Sequence, residues 1–354
     1  MRTPGLVDLQ VNGFAGIDFN SGTVTPAEID RALEAMLATG VTLCLPTIIT
    51  AHQDELAQRL TALDAAISAS RLGPLMCPGY HLEGPFLNPA PGYAGCHPPE
   101  AMTAADPTLV DRLEGMLSRP ILLVTLAAEV EGAQALIAAL AKAGRIVALG
   151  HSAADFEEVA AAADAGATVS THLGNGLPQQ LHKLVNPLFA QLGEDRLWAS
   201  FIADGIHLHP KALRSLLRAK GLDRSILVTD AVSAAASQPG PHPFAGMTVE
   251  LRSDGSVRQP GSANLAGSAL CLDEAVRNLV AWGLASPGEA VALASDNPLA
   301  ALEPALRMRG IALDRGEIEW SDALAITRIR LGPVERRFGP SQAGRPNKRL
   351  TPES

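Results

Sequence analysis

What the chain lacks narrows it first. It has no run of about 18 or more apolar residues, so no membrane-spanning helix is expected. The opening MRTPGLVDLQ has no apolar core of the kind a secretory signal needs. Its four cysteines (Cys44, Cys77, Cys96 and Cys271) show neither CxxC nor paired spacing, which argues against a disulfide framework and suits a reducing compartment. Basic residues are the minority, 28 against 37 acidic, and the net charge of −9 argues against a general nucleic-acid binder, which normally shows a basic face. Neither GxGxxG nor GxxxxGK[ST] follows any strand-like run, which weighs against Rossmann and P-loop sites. GHSAA is not a GxSxG elbow, and no lysine closes an apolar run where a Schiff-base aldolase would need one. The expectation is a cytoplasmic protein acting on a small molecule, with no nucleic-acid or membrane partner.

What is present is apolar and periodic. Of the 354 residues 47% are hydrophobic and 18% charged, enough for a large core. Short apolar runs recur: LVDLQVN from residue 6, VTLCLPT from 41, MCPGYHLE from 76, ILLVTLA from 121, IVALGH from 146, ATVSTH from 167, WASFIAD from 198 and SILVTD from 225. Most are continuously apolar rather than alternating, as strands buried on both faces are. Helix-period segments separate them, several opening on a cap or Pro and closing on Gly. This alternation predicts an α/β fold, a (β/α)8 TIM-type barrel, over residues 1–305. Short strands are expected over 306–335, and the Pro/Gly/charge-rich stretch 336–354 reads as a flexible tail. PHPFAGMTVELRSDGSVRQPG reads as a hairpin excursion with an Asp-Gly turn, and SPGEAVALASDNPLAAL as one helix.

The chemistry of such barrels sits at the C-terminal strand ends. Here those ends carry Gln10 and Asn12, Thr47, Glu83, His151, His172, Asp204 with His207, and Asp230. Apolar runs have no structural need to finish in ionisable groups so often. Glu83, His151 and His172 form a carboxylate-plus-two-imidazole set, which suits a catalytic divalent cation with an open position for water. Asp230, across the mouth, is placed to move protons, a reading that outweighs the alternative of an Asx-turn cap in TDAVS. Cys44 and Cys77 read as core thiols within strand bodies. Cys96 adjoins His97 in a Gly/Pro-rich loop but lacks the pattern of a thiol nucleophile.

These residues resemble the N-acetylglucosamine-6-phosphate deacetylase family of the amidohydrolase superfamily. The resemblance rests on GLVDLQVNG, LPTIIT, HLEGPFLNP with GCHPPE, GHSAADFEE, THLGNG, FIADGIHLHP, LVTDAV and LAGSALCLDEAVRNLV, in the family's order across roughly residues 5–300. It implies hydrolysis of N-acetylglucosamine 6-phosphate to glucosamine 6-phosphate and acetate. It implies Glu83, His151 and His172 as ligands of one divalent metal ion, Zn²⁺ first, with Fe²⁺, Co²⁺ or Mn²⁺ as other occupants. Asp230 stands at the family's general acid/base and His97 at the residue that polarises the acetyl carbonyl. Cys96, Asn175, Gly176, Asp204, His207, Leu265, Ala266 and Gly267 fall on substrate-lining segments. Gln10 and Asn12 occupy vacated second-metal positions, where many superfamily members carry His-x-His. A homodimer is implied by the resemblance alone.

Three departures accompany the likeness. Family members usually carry several dozen β-sandwich residues before the first barrel strand. A sandwich with a reduced or missing N-terminal part is therefore expected, its last strands short of partners. The segment after His172 has no arginine before Arg196, where the family places one that reaches the neighbouring subunit's phosphate. The stretch from Glu83 to His97 is slightly longer than in the best-known members. The alternatives are the same amide hydrolysis on another N-acyl amine or an unphosphorylated amino sugar, or a metal-free sugar-phosphate sensor.

Overall fold

The apolar runs become eight parallel strands in the computed structural model, which describes residues 1–261 and 264–338. They are β1 (Leu6–Val11), β2 (Val41–Ile49), β3 (Tyr80–Glu83), β4 (Ile121–Leu126), β5 (Ile146–Leu149), β6 (Ala167–Ser170), β7 (Trp198–Phe201) and β8 (Ser225–Leu227). Nearly every residue in them is buried. Helices cover the outer face and side chains fill the interior, so neither face had reason to be polar. Neighbours in sequence are neighbours in the sheet, from β1 through to β8. The cylinder closes through a parallel bridge between Val11 and Ala231. Asn12 N–H donates to Ala231 O at 2.7 Å and Asp230 N–H to Gln10 O at 3.0 Å across that seam. Parallel register pairs Ile49 with Glu83, Glu83 with Thr125, and Leu149 with Ser170, which brings the residues that follow to one rim.

The helices carry the signals that sequence promised. Thr25 caps Pro26–Ala38 in a reciprocal capping box with Glu28, a motif worth about 1 kcal/mol. Asp155 and Glu158 do the same for Phe156–Ala165, which closes on left-handed Gly166. No helix among the described residues is long and apolar enough to cross a membrane.

Several expectations are corrected. SPGEAVALASDNPLAAL is two helices, Pro287–Ala294 and Asp296–Met308, broken at Ser295, whose hydroxyl donates to Gly5 O at 2.8 Å. The second helix runs past the expected boundary at 305. The last strands do not lack partners: Arg2–Pro4 pairs antiparallel with Glu317–Trp320, which continues into Ile326–Leu331 and Val334–Arg337. Arg336 and Arg337 thus belong to a strand rather than a tail, and the rest of that expected tail, from 339, lies outside the described residues. Cys77 sits not in a strand but at the end of the short helix Gly73–Met76, its Sγ 3.7 Å from that of Cys44. The expected hairpin is three strands, Gly240–Phe244, Met247–Leu251 and Val257–Arg258, with the Asp-Gly pair in its second turn.

Candidate active site

The chain leaves three strands through residues in the left-handed backbone region. These are His151 (φ 51°), His172 (φ 30°) and Asp230 (φ 49°). A non-glycine residue there costs on the order of 1–3 kcal/mol and persists only where the surroundings dictate it. All three side chains reach one spot over the barrel mouth. His172 Nε2 lies 3.1 Å and His151 Nε2 3.5 Å from the same oxygen, Glu83 Oε1, while His97 Nε2 approaches the other, Oε2, at 3.7 Å. The His151 ring lies 4.5 Å from that of His97 and 5.0 Å from that of His172, centroid to centroid. His151 Nδ1–H donates to Tyr93 O at 2.6 Å, which fixes the ring with its Nε2 directed at Glu83. Gly176 and Gly95 permit this packing, because a Cβ on Gly176 would meet His151 Nδ1 at 2.8 Å and one on Gly95 would meet its Cε1 at 3.1 Å.

Two carboxylates share this floor and amides hold them. Gln10 Nε2 donates to Glu83 Oε1 at 3.1 Å and to Asp230 Oδ1 at 3.2 Å, and Asn12 Nδ2 donates to Asp230 Oδ1 at 2.8 Å. Burial opposes ionisation of Glu83, yet hydrogen bonds from His151 and His172 hold it well below the usual carboxylate range. Burial pushes Asp230 up to about 6 and the Cys96 thiol up to about 12, which leaves that thiol a poor nucleophile. His97, buried beside His151, is pushed down to about 3, and its Nδ1 lies 2.9 Å from Thr50 Oγ1. Beneath lies a polar column in which His81 Nε2 meets Thr125 Oγ1 at 2.8 Å and Thr125 meets Thr171 at 2.7 Å.

A cavity of about 390 Å³ opens above the floor. Asn12, Glu83, Cys96, His97, His151, His172, Asn175, Gly176, His207, Asp230, Leu265 and Gly267, all singled out in the sequence, line it. Among its described lining residues there is no lysine and one arginine, Arg258. The donor set fits a divalent cation: a buried carboxylate faces imidazole nitrogens, and a second carboxylate stands beside it with only neutral amides between them.

No protein-family model matches the chain. It is 35% identical over 323 residues to the N-acetylgalactosamine-6-phosphate deacetylase of Escherichia coli O157:H7, covering 88% of this chain and 83% of that one. It is 32% identical over 279 residues to the N-acetylglucosamine-6-phosphate deacetylase of Bacillus subtilis (strain 168), covering 78% and 69%. The chain belongs to the N-acetylglucosamine-6-phosphate deacetylase family. Its fold matches that of an N-acetyl-D-glucosamine-6-phosphate deacetylase variant from Mycobacterium smegmatis, solved in complex with N-acetyl-D-glucosamine-6-phosphate. That match has a TM-score of 0.83 at 29% identity, over 93% of this chain and 85% of that one. This family member is therefore a hydrolase of the deacetylase class on a TIM-type barrel.

Some expected site residues sit elsewhere in this deacetylase. Asp204 is not in the cavity lining; it holds His207 from behind, Oδ2 to Nδ1 at 2.6 Å. Ala266 is buried in an apolar cluster with Phe244, Val249 and Val257. Ligand atoms of Glu83, His97 and His151 all lie within 4.8 Å of one another, so His97, expected to face substrate, also stands within the ligand cluster. His172 still touches Glu83, and its Nδ1 has no partner among the described residues. Sequence reading missed Thr50, Phe244, Gln179 and Arg258, which touch or line the site. For Thr50 a signal existed, since LPTIIT places a hydroxyl directly after β2.

Proposed function

We propose that this chain removes the N-acetyl group of N-acetylglucosamine 6-phosphate, with water, to give glucosamine 6-phosphate and acetate. The observation that carries the site assignment is the shared oxygen: His151 and His172 both approach Glu83 Oε1, whereas His97 approaches Oε2. On that basis Glu83, His151 and His172 hold one divalent cation, with His97 left to face substrate. The His₂Glu set is suited to Zn²⁺ and accepts Fe²⁺, Co²⁺ or Mn²⁺. Such an ion, when bound, supplies Lewis-acid activation of water and of the acetyl carbonyl.

The remaining work falls to this chain's side chains. Asp230, fixed by Asn12 and Gln10, takes the proton from the attacking water and returns it to the departing amine. His97 Nε2 hydrogen-bonds the acetyl oxygen as negative charge develops there, with Thr50 fixing the ring from the other nitrogen. Gln10 and Asn12 point amide N–H groups at the carboxylates and so are poor ligands for a second cation, which supports a single ion. His207, Cys96, Asn175, Gly176, Leu265 and Gly267 shape the sugar pocket. A cytoplasmic enzyme working as a homodimer fits this reading.

A second reading keeps the chemistry and changes the sugar, because the Escherichia coli relative is named for the galactosamine epimer. The deciding experiment measures acetate release from N-acetylglucosamine and N-acetylgalactosamine, each with and without the 6-phosphate, at a defined metal content. Turnover fastest on N-acetylglucosamine 6-phosphate is expected. A faster rate on the galactosamine epimer moves the substrate, and no release from any of the four rejects the reading.

A further inference from the structure

We propose that Arg258 recognises the sugar's 6-phosphate, so that the charge needed for phosphate binding comes from the same chain as the chemistry. The inference deepens the reading above and rests on it. A phosphate monoester near neutral pH carries close to two negative charges, and it would enter a cavity whose floor already presents Glu83 and Asp230. Such an anion is bound only where a cation offsets that repulsion. Among the described lining residues Arg258 is the single guanidinium, and no ammonium accompanies it. The segment following His172 offers no substitute. Lys183 is exposed and absent from the lining, and His182, also exposed, accepts Val185 N–H at 2.9 Å on Nδ1.

The backbone around Arg258 is anchored to the catalytic floor. Its strand, Val257–Arg258, pairs with Met247–Leu251, and Arg258 bridges to Leu265. Ala266 N–H donates to Val257 O at 3.0 Å, and Ser268 N–H to Asp230 O at 2.9 Å. Phe244, Val249, Leu251 and Val257 pack in one apolar cluster with Val232 and Ala234, directly after Asp230. The guanidinium is thus carried on a packed hairpin whose offset from the general base is set by hydrogen bonds, not by a free loop. Its planar fork matches two phosphate oxygens at once, which an ammonium cannot do.

The test compares wild type with Arg258→Ala, Arg258→Gln and Arg258→Lys on N-acetylglucosamine with and without the 6-phosphate. The quantity read is the ratio of kcat/KM for the phosphorylated to the free sugar. Loss of a charge-assisted pair lowers that ratio by about 10- to 100-fold in Arg258→Ala and Arg258→Gln, with the change in KM rather than kcat. Arg258→Lys falls between, and inhibition by inorganic phosphate weakens in parallel. Arg258→Gln keeps the side chain's length, so it stands in if the alanine variant does not fold. An unchanged ratio in folded variants overturns the inference, as does an equal loss on both sugars. A wild type with no preference for the phosphorylated sugar instead defeats the substrate reading.

Discussion

The floor of the cavity and its walls are made differently. The floor is set by strand ends: Glu83, His151, His172 and Asp230 leave four barrel strands, and hydrogen bonds fix them to one another and to Gln10 and Asn12. The walls are loop and hairpin, with Gly174 to Gln179 on one side and Phe244, Arg258 and Leu265 on another. A strand end inherits its position from the whole cylinder, so the reaction's machinery is as rigid as the fold. A loop inherits its position only from local packing, so what the enzyme recognises is free to vary on an unchanged reaction. Two of the three departures named from the resemblance fall in the second region, the Glu83–His97 stretch and the segment after His172, which lacks an arginine, while the guanidinium in the cavity lining comes from the hairpin.

This contrast is sharpest at the proton carrier. Asp230→Asn keeps shape and removes the base, so kcat is expected to fall about 1,000-fold or more, with bound metal unchanged by elemental analysis. Turnover near the wild-type rate would remove Asp230 from the mechanism. A support one step removed from the chemistry should matter less. Thr50→Val deletes the hydroxyl that holds His97 at 2.9 Å, and kcat is expected to fall about tenfold while metal content stays constant. A loss as large as that of Asp230→Asn would mean that Thr50 does more than orient a ring.

Below the floor the expected effect is on stability. Asp8 is wholly buried in β1, and burial pushes it up to about 7 although Thr229 and Gln10 donate to it. A carboxyl with a raised folded-state pKa favours the folded state most when protonated. Its contribution is complete below the unfolded value near 4 and is lost as pH rises toward 7. Three units amount to about 4 kcal/mol at most. Asp8→Asn should therefore flatten the fall in Tm between pH 5 and pH 8 while leaving kcat almost unchanged. A variant with the wild-type pH slope would place the titration elsewhere.

Much of the floor was legible because its signal is local. An apolar run that ends in Glu, His or Asp carries both the strand and the functional residue within a few positions, as IVALGH and ATVSTH do. The walls were less legible because their signal is long-range. Nothing near Arg258 in sequence says that its strand folds back against residues following Asp230. Likewise, Arg2–Pro4 pairs with strands more than 300 positions away, so partners for the last strands could not be read from either segment alone. Backbone sign is also invisible in sequence, since His151 and His172 in the left-handed region look like any other histidines. The break at Ser295 was hidden for a related reason: its hydroxyl serves Gly5, across the fold, rather than the helix.

The seam between β1 and β8 carries a last consequence. Its bonds run through Gln10, Asn12, Asp230 and Ala231, so the latch that closes the cylinder and the groups that steer the proton are the same few residues. Breathing of the barrel at this latch and misalignment of the base are then one motion. Any loosening of the first strand from the last therefore also displaces the groups that hold Asp230.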